Sequence, residues 1–278
     1  MKEIRIAVLD MNNGKENQGF PNILEICENF RNNAGSVSIE TFDVRQKDEV
    51  PKVEDYDIFI SSGGPGTPER EGHSWEQKWT DFLDGVWNFN EKNCDKKYLF
   101  LICHSFQLAA IHWKLGTVNR RKSYSFGVMP IHKTEAGEKE FLFHKLNEPF
   151  YGVDSRQYQF IQPDYERLEK LGMKIVAIEK DRPHIELERA VMAIRYSPEI
   201  FGTQFHPEAN PDGMLRNLEE EKNREAMIRD YGEQKYIDTI KQLADEDKIS
   251  LTRSQILPAF LWMAAHQMRI YDLIWTDD

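Results

Sequence analysis

The stretch from residue 97 to residue 110 constrains the fold more than any other. Residues 98–102 are apolar without interruption and predict a strand that is buried on both faces. The residues from Ser105 onward predict a helix that ends near Gly116. Cys103 therefore lies at the turn between a buried strand and a helix, an arrangement that is typical of an α/β sheet.

The cysteine at this turn has two interpretations. The turn lifts the sulfur of Cys103 above the carboxyl end of the sheet, and the unpaired N–H groups of the following helix favour a thiolate, so the position suits a nucleophile. A buried cysteine also packs as a small hydrophobic residue. This stretch alone leaves both interpretations open.

The first third of the chain has the pattern of alternating strands and helices. Strands are predicted over residues 4–9, 37–44 and 56–60, and helices over residues 19–30 and 74–87. Strand, helix and strand at this spacing form a βαβ unit. We therefore expect an α/β fold, with a doubly wound, mostly parallel sheet flanked by helices and a C-terminal helical extension.

A loop rich in glycine follows the third strand. Residues 61–68 contain three glycines and two prolines. Such a loop can bring bare backbone N–H groups close to a ligand, and it can equally be a plain turn. The loop lacks the Gly-Lys-Ser or Gly-Lys-Thr sequence of a phosphate-binding loop, so a nucleotide phosphate is not its expected ligand.

The second half of the chain contains another candidate site at the end of a strand. Residues 173–178, 190–194 and 200–205 are predicted as strands, and the last of them ends at His206 and Glu208. Residues two apart on an extended backbone point the same way, so the carboxylate can orient the imidazole.

The middle of the chain gives weaker signals. Residues 126–131 and 140–143 are predicted as strands on either side of a turn at Ala136-Gly137. Residues 150–162 show no clear period and are predicted as a loop that lines a pocket.

The composition changes after residue 210. Residues 214–231, 235–244 and 254–275 are predicted as helices, and the last is amphipathic. Its apolar face is expected to pack either on its own domain or on another chain. The second case includes a homodimer through these helices. The expected division is a domain over residues 1–210 and a helical extension over residues 211–278.

Charge and cysteine content narrow the function classes. The net charge of −11, with 47 acidic and 36 basic residues and no long basic run, argues against binding to nucleic acid or to an anionic membrane. The three cysteines and the histidines have no metal-ligand spacing, so neither a metal nor a cofactor is expected. The chain has no apolar run of about 18 residues and no signal-like start, which predicts a cytoplasmic protein.

Three motifs together resemble class I glutamine amidotransferases, the triad glutaminase domain that is found in GMP synthetase, anthranilate synthase and carbamoyl-phosphate synthetase. The motifs are residues 62–66 after the third strand, Ile102-Cys103 followed by Gln107, and residues 202–208. Their order and separation match the family over roughly residues 4–210.

The resemblance implies roles for seven residues. Cys103 corresponds to the nucleophile that forms a γ-glutamyl thioester, His206 to its general base and acid, and Glu208 to the group that orients the histidine. The binding residues are implied in the same way: the backbone N–H groups of Gly64 and His104 form the oxyanion hole, and Gly66 and Gln107 help to hold glutamine.

The chain departs from the family pattern at two positions of the elbow. The family has glycine two residues before and two residues after the cysteine, where this chain has Leu101 and Ser105. Larger residues predict a more crowded elbow, because the glycines let the strand and the helix pass closely.

Three functions fit these observations. The first is hydrolysis of glutamine, with the ammonia passed to a synthetase on another chain, because this chain has no motif of an ATP-using synthetase; GMP synthetase is the nearest analogue. The second is a free-standing γ-glutamyl hydrolase, which the additional helices favour. The third is a catalytically weak binding or regulatory domain, which Leu101 favours.

Overall fold

Nine strands form one mixed sheet in the part of the chain that the computed structural model describes, which is residues 3–184 and 186–275, with side chains as far as residue 268. In chain order the strands are β1 (Ile4–Asp10), β2 (Val37–Asp43), β3 (Ile58–Ser61), β4 (Tyr98–Ile102), β5 (Thr117–Lys133), β6 (Phe150–Ile161), β7 (Lys174–Glu179), β8 (Val191–Arg195) and β9 (Ile200–Thr203).

The helices differ widely in length. In chain order they are α1 (Gly19–Ala34), α2 (Val44–Lys47), α3 (Ser74–Lys92), α4 (His104–His112), α5 (Glu135–Glu138), α6 (Tyr165–Lys170), α7 (Pro211–Glu219), α8 (Glu221–Tyr231), α9 (Glu233–Leu243) and α10 (Leu251–Trp275). Short 3₁₀ turns occur at Val53–Asp55 and Phe141–Phe143, and a π turn at Glu246–Ser250 precedes α10.

The sheet has a parallel half and an antiparallel half. Its strand order is β2-β1-β3-β4-β9-β8-β7-β5-β6. Each pair of neighbours along β2-β1-β3-β4-β9 is parallel. Each pair along β9-β8-β7-β5-β6 is antiparallel. The predicted α/β fold class is confirmed, and the parallel strands are confined to one half.

Alternate residues of β4 face two hydrophobic cores. Tyr98, Phe100 and Ile102 face the core that α1 and α10 cover, and Leu99 and Leu101 face the core under α3 and α4. All five side chains are buried, because helices cover both faces of the central strands. This burial on both faces explains why residues 98–102 are apolar without interruption.

The last helix lies on its own domain. Phe260 of α10 contacts the rings of Tyr98 and Phe100 at 6.5 and 5.1 Å between ring centroids. The side chains of α10 from Ile256 to Ala265 that face the sheet are therefore buried by the same chain, whereas Trp262 is 42% exposed. Tyr271 and Trp275, which continue the predicted apolar face, lie outside the residues whose side chains are described.

The helices α7, α8 and α9 cover the antiparallel end of the sheet. Leu218, Met227 and Leu243 form a small third core with Val128 and Val153 of β5 and β6. In contrast, α10 packs beside α1. The helices after residue 210 therefore contact the sheet in two separate regions. The division into residues 1–210 and residues 211–278 stays a prediction.

The predicted strand over residues 140–143 is wrong. Phe141–Phe143 is a 3₁₀ turn, and the Glu140 carboxylate accepts the backbone N–H of Leu142 at its start. Arg195 also donates to Glu140, from Nε at 3.1 Å. The carboxylate therefore starts a turn where the apolar residues alone suggested a strand.

The predicted loop over residues 150–162 is also wrong, because these residues form β6. Asp154 and Arg156 point to the buried side of this strand and form an ion pair, with Arg156 Nε 2.8 Å from Asp154 Oδ1. Charged residues on a buried face remove the alternation of apolar and polar residues by which a strand is predicted.

The predicted helix over residues 214–231 consists of two helices. The backbone of Glu220 is extended, with φ −62° and ψ 128°, and it separates α7 from α8. The side chain of Asn223 donates to the carbonyl of Asn217 at 3.0 Å and so satisfies one free carbonyl at the end of α7.

Candidate active site

Cys103 lies at a strained elbow between β4 and α4. Its φ of 48° and ψ of −96° are unusual for a residue with a side chain and cost about 1–3 kcal/mol. The conformation is held on both sides: the Cys103 N–H donates to the carbonyl of Thr203 at 2.7 Å, and its carbonyl accepts the N–H of Gln107 at 3.0 Å. The sulfur is thereby fixed at the carboxyl edge of the parallel strands.

Leu101 fits into this elbow because its neighbour on β9 is a glycine. Leu101 pairs with Gly202 and is fully buried. A Cβ atom on Gly202 would lie 3.3 Å from the Cβ of Leu101 and 2.9 Å from a ring carbon of Tyr196. The crowding that the sequence predicts is relieved by Gly202, and the elbow keeps its strained conformation.

Ser105 fastens the elbow to the glycine-rich loop. Its hydroxyl donates to the carbonyl of Ser62 at 2.7 Å and lies 2.8 Å from the hydroxyl of Ser61. Ser61 in turn accepts the indole N–H of Trp79 at 3.0 Å. The side chain that replaces the family glycine therefore forms a buried polar link between α4, β3 and α3.

The glycine-rich loop approaches the elbow where no side chain would fit. A Cβ atom on Gly63 would lie 2.9 Å from Cε1 of His206 and 3.4 Å from the Cβ of Cys103. A Cβ atom on Gly64 would lie 2.1 Å from the carbonyl oxygen of Met11. The loop lines the cleft above Cys103 with its backbone.

Arg45, which the sequence does not single out, holds the same loop from behind. Its Nη1 atom donates to the carbonyls of Pro65 and Met11, and its guanidinium lies 4.9 Å from the ring centroid of Trp75. Gly66 has a positive φ of 97° beside this guanidinium. Arg45 lies in α2, and its role depends on contacts across the fold that no local pattern reveals.

His206 and Glu208 form a pair directly after β9. Nδ1 of His206 lies 2.7 Å from Oε1 of Glu208, and the backbone N–H of His206 donates to the carbonyl of Val153 at 2.9 Å. Gly19, the first residue of α1, is so close that a Cβ atom there would lie 3.0 Å from Glu208 Oε1. The positive end of this helix favours the charged carboxylate.

The charge of His206 follows from its neighbours. Burial on its own lowers the pKa of this imidazole, but the Glu208 carboxylate and then Cys103, through charge and hydrogen bonds, raise it, and the pKa lies well above its ordinary value of 6.5. The Glu208 carboxylate therefore favours the protonated form of this imidazole. A protonated imidazole beside a sulfur is the counter-ion that a thiolate nucleophile requires.

The side chain of His104 has a different environment. It is fully buried at the start of α4, and its Nε2 has no hydrogen-bond partner among the described residues. Burial, and then the nearby charge of Arg45, lower its pKa to about 3. His104 is therefore neutral, and its side chain does not line the cleft.

Gln107 lies behind the cysteine. Its side-chain amide donates to Oε1 of Gln204 at 2.9 Å, and the amide of Gln204 donates to the sulfur of Cys103 at 3.6 Å. Sequence reasoning missed Gln204, although it lies inside the motif of residues 202–208. Within the part of the chain that is described, Gly64 lines the cleft, and Gly66, His104 and Gln107 do not.

A cleft of about 450 Å³ opens above Cys103. The glycine-rich loop and the start of α1 form one side, and Tyr124, Phe126, Val153 and Ser155 of β5 and β6 form the other. Cys103, His206 and Glu208 lie at its base. The cleft therefore joins a sulfur, an imidazole and a buried carboxylate to a space large enough for a small organic molecule.

Over residues 3–184 and 186–275, no group of three His, Cys, Asp or Glu side chains is arranged to hold a metal ion. No helix in the same ranges is long and apolar enough to cross a membrane.

Several solved structures share this architecture. A glutamine amidotransferase from Thermotoga maritima superposes with a TM-score of 0.68 at 15% identity, over 95% of this chain and 99% of that chain. A putative GMP synthase subunit from Thermoplasma acidophilum gives 0.52 at 16% identity, over 98% and 99%. The glutaminase domain of Trypanosoma brucei CTPS, with bound acivicin, gives 0.53 at 16% identity, over 74% and 86%.

Similarity to solved structures at 15–16% identity shows the fold alone. The family assignment rests on the sequence instead. No curated protein was found to match this chain. The model of the family "Glutamine amidotransferase class-I" matches residues 22–222, which is well over half of the chain. The chain therefore belongs to the class I glutamine amidotransferase family.

Proposed function

We propose that the protein hydrolyses the side-chain amide of glutamine, with Cys103 as the nucleophile, His206 as the general base and acid, and Glu208 as the orienting group. The observation that carries the proposal is the position of the His206 ring. Its Nδ1 lies 2.7 Å from Oε1 of Glu208, and it lies beside Cys103, since a Cβ atom on Gly63 would be 2.9 Å from His206 Cε1 and 3.4 Å from the Cβ of Cys103. A nucleophile, a base and a group that orients the base are the minimum for this chemistry.

The reaction proceeds through a thioester. The Cys103 sulfur attacks the amide carbon, and the backbone N–H groups of Gly64 and His104 stabilise the oxyanion. The C–N bond breaks as His206 gives its proton to the departing nitrogen, which releases ammonia. Water then attacks the γ-glutamyl thioester and gives a proton to His206. The C–S bond breaks, which releases glutamate and restores the Cys103 sulfur beside the protonated imidazole.

The remaining predicted residues act indirectly in this proposal. Gly66 shapes the loop that presents the Gly64 N–H, and Arg45 holds that loop through the carbonyl of Pro65. Gln107 acts through Gln204, which contacts the sulfur. Arg45 and Gln107 can therefore influence the rate without touching glutamine.

We further propose that the ammonia passes to a synthetase on another chain, in the same reducing, cytoplasmic compartment that a free Cys103 thiol requires. The sequence has no motif of an ATP-using synthetase. Structures of the same fold include a CTPS glutaminase domain and a putative GMP synthase subunit, which supports a partner of this kind.

A free-standing γ-glutamyl hydrolase is the second candidate. The cleft favours it, because its volume of about 450 Å³ extends to the aromatic side chains of β5 and β6. The third alternative, a domain kept only for binding, has less support, since Gly202 accommodates Leu101 without loss of the elbow.

Release of glutamate and ammonia from glutamine tests the proposal. We expect turnover by the unmodified chain and none by Cys103→Ser, whereas Cys94→Ser, at an exposed cysteine, retains the rate. Equal turnover by Cys103→Ser would contradict the proposal. Copurification of an ATP-using enzyme that raises the rate would favour the amidotransferase over the free-standing hydrolase.

A further inference from the structure

Three aromatic rings are stacked beside the candidate active site. Tyr124 and Phe126 lie nearly parallel, with centroids 6.4 Å apart and 18° between the ring planes, and Phe126 and Tyr231 follow at 5.6 Å and 22°. Tyr124 and Phe126 line the cleft, and Tyr231 of α8 supports them from outside. We call these three residues the aromatic wall.

Two of the three residues of the aromatic wall are largely exposed to solvent. Tyr124 is 43% exposed and Tyr231 is 41% exposed. The Tyr124 hydroxyl lies 2.6 Å from the Ser155 hydroxyl, which fixes the ring at the cleft. Rings that are ordered and open to a cleft are suited to stack on another flat apolar group.

The aromatic wall is linked to His206 through β6. The backbone N–H of His206 bonds to Val153 of β6. Val153 and Ser155 are two residues apart on that strand, both line the cleft, and Ser155 contacts Tyr124. The imidazole and the aromatic wall are therefore anchored to one short segment of β6.

This placement determines which part of a substrate meets the rings. In the proposed function, on which this inference rests, His206 protonates the departing nitrogen. A group attached to that nitrogen must therefore extend toward His206 and the aromatic wall. Away from β5 and β6, the lining of the cleft includes Lys15, whose ammonium group suits the α-carboxylate of a glutamyl unit.

We propose that the protein hydrolyses γ-glutamyl amides whose departing amine carries an aromatic ring, and that the aromatic wall binds this ring. The Cys103 sulfur forms a bond to the γ-carbonyl carbon. The C–N bond breaks as the nitrogen takes the proton of His206, so the amine that carries the ring departs in place of ammonia. Water then releases glutamate. With glutamine itself, the aromatic wall has no substrate group to contact.

Three matched substrates test the proposal. γ-Glutamyl-benzylamide has a ring, γ-glutamyl-cyclohexylmethylamide has the same shape without an aromatic face, and γ-glutamyl-ethylamide has neither. We expect kcat/KM for the benzylamide to exceed that for the ethylamide by at least about tenfold, with the cyclohexylmethylamide between them.

Variants assign that preference to the aromatic wall. Phe126→Leu lowers the ratio of benzylamide to ethylamide kcat/KM by about tenfold, and Tyr124→Leu is a second variant at a more exposed position. The matched control is Tyr165→Leu, because Tyr165 lies in α6, is 71% exposed and is not part of the cleft. The control leaves the ratio unchanged.

The outcomes separate this inference from the proposed function. Equal kcat/KM for the benzylamide and the ethylamide, or an unchanged ratio in both Phe126→Leu and Tyr124→Leu, overturns the inference while glutamine hydrolysis stands. Absence of turnover on every substrate contradicts the proposed function. In that case calorimetric binding to Cys103→Ala still decides the inference, which requires tighter binding of the benzylamide than of the ethylamide.

Discussion

The two halves of the sheet divide the candidate site between them. The parallel half presents Cys103 after β4 and the glycine-rich loop after β3, and His206 follows β9. The antiparallel half contributes Tyr124, Phe126, Val153 and Ser155 to the lining of the cleft. In the proposed function the parallel half holds the reacting groups, and in the further inference the antiparallel half selects what they react with.

The halves also differ in how their strands are buried. The parallel strands β3 and β4 are apolar almost throughout and lie between two helix layers. The antiparallel β6 buries charged residues instead: Asp154 pairs with Arg156, whose Nη2 also lies 3.5 Å from Glu179. The second half combines hydrophobic packing with buried charge pairs that must remain complete.

Replacement of the nucleophile in the parallel half should have the largest effect. Cys103→Ala is expected to lower glutamine hydrolysis at least about a thousandfold, because no thioester can form. The measurement is the initial rate of glutamate release. Cys94→Ala is the control, and its exposed cysteine is remote from the cleft, so its rate stays at the level of the unmodified chain.

Removal of one buried charge tests the antiparallel half. Arg156→Met leaves Asp154 buried without its partner, and the free energy of unfolding should fall by about 3–5 kcal/mol. Denaturant unfolding measures the change. Glu135→Gln breaks the exposed pair of Glu135 and Lys139 and should cost no more than about 0.5 kcal/mol. Equal costs for the two variants would show that the buried pair is not what holds β6.

The orienting carboxylate should affect both rate and pH dependence. Glu208→Gln is expected to reduce the rate roughly a hundredfold. It also removes the charge that most strongly opposes the effect of burial on His206, so the pKa of this imidazole should fall.

The sign of the pH dependence follows from that pKa. Because the pKa of His206 is raised in the folded chain, its pairing with Glu208 stabilises the fold fully below the unfolded pKa and ceases to do so as pH rises through the raised value. NMR titration of the His206 ring protons should show the shift to lower pH in Glu208→Gln. A pKa that does not move would exclude Glu208 as the cause.

A smaller effect is expected where α10 meets the parallel half. Arg253 donates from Nη1 to the carbonyl of Glu208 at 2.7 Å and forms an ion pair with Glu25 at 2.8 Å. Arg253→Gln should lower the rate about threefold to tenfold, because it loosens the backbone that holds the carboxylate. Glu25→Gln keeps the bond to Glu208 and should change the rate less than Arg253→Gln. The opposite order would show that α10 acts through α1 instead.

The parallel half could be predicted from the sequence almost entirely. Its central strands are apolar runs, and Cys103, the glycines and His206 follow those runs directly. The antiparallel half could not be predicted as well. The buried pair of Asp154 and Arg156 hides the strand period of β6, and the turn that Glu140 starts resembles a strand in composition.

The contacts that complete the site lie beyond local patterns. Arg45 and Gln204 are distant from Cys103 in sequence and reach the elbow only after the sheet has formed. The same holds for α10: its apolar face predicts a covered helix, but the identity of the covering surface depends on where α1 and β4 leave space.

The central claim is that Cys103 is a nucleophile in a glutamine-shaped site, and labelling with the glutamine analogue diazo-oxo-norleucine tests it most directly. The parent protein is Cys94→Ala, which removes the exposed cysteine. Cys27 is buried, and burial followed by the charge of Glu28 raises its pKa to about 12, so it stays an unreactive thiol.

Mass spectrometry of the intact chain then counts the adducts. The account predicts one adduct per chain, located at Cys103 by peptide mapping and absent when Cys103→Ala is added. A folded parent protein that gains no adduct, or an adduct that persists without Cys103, would contradict it.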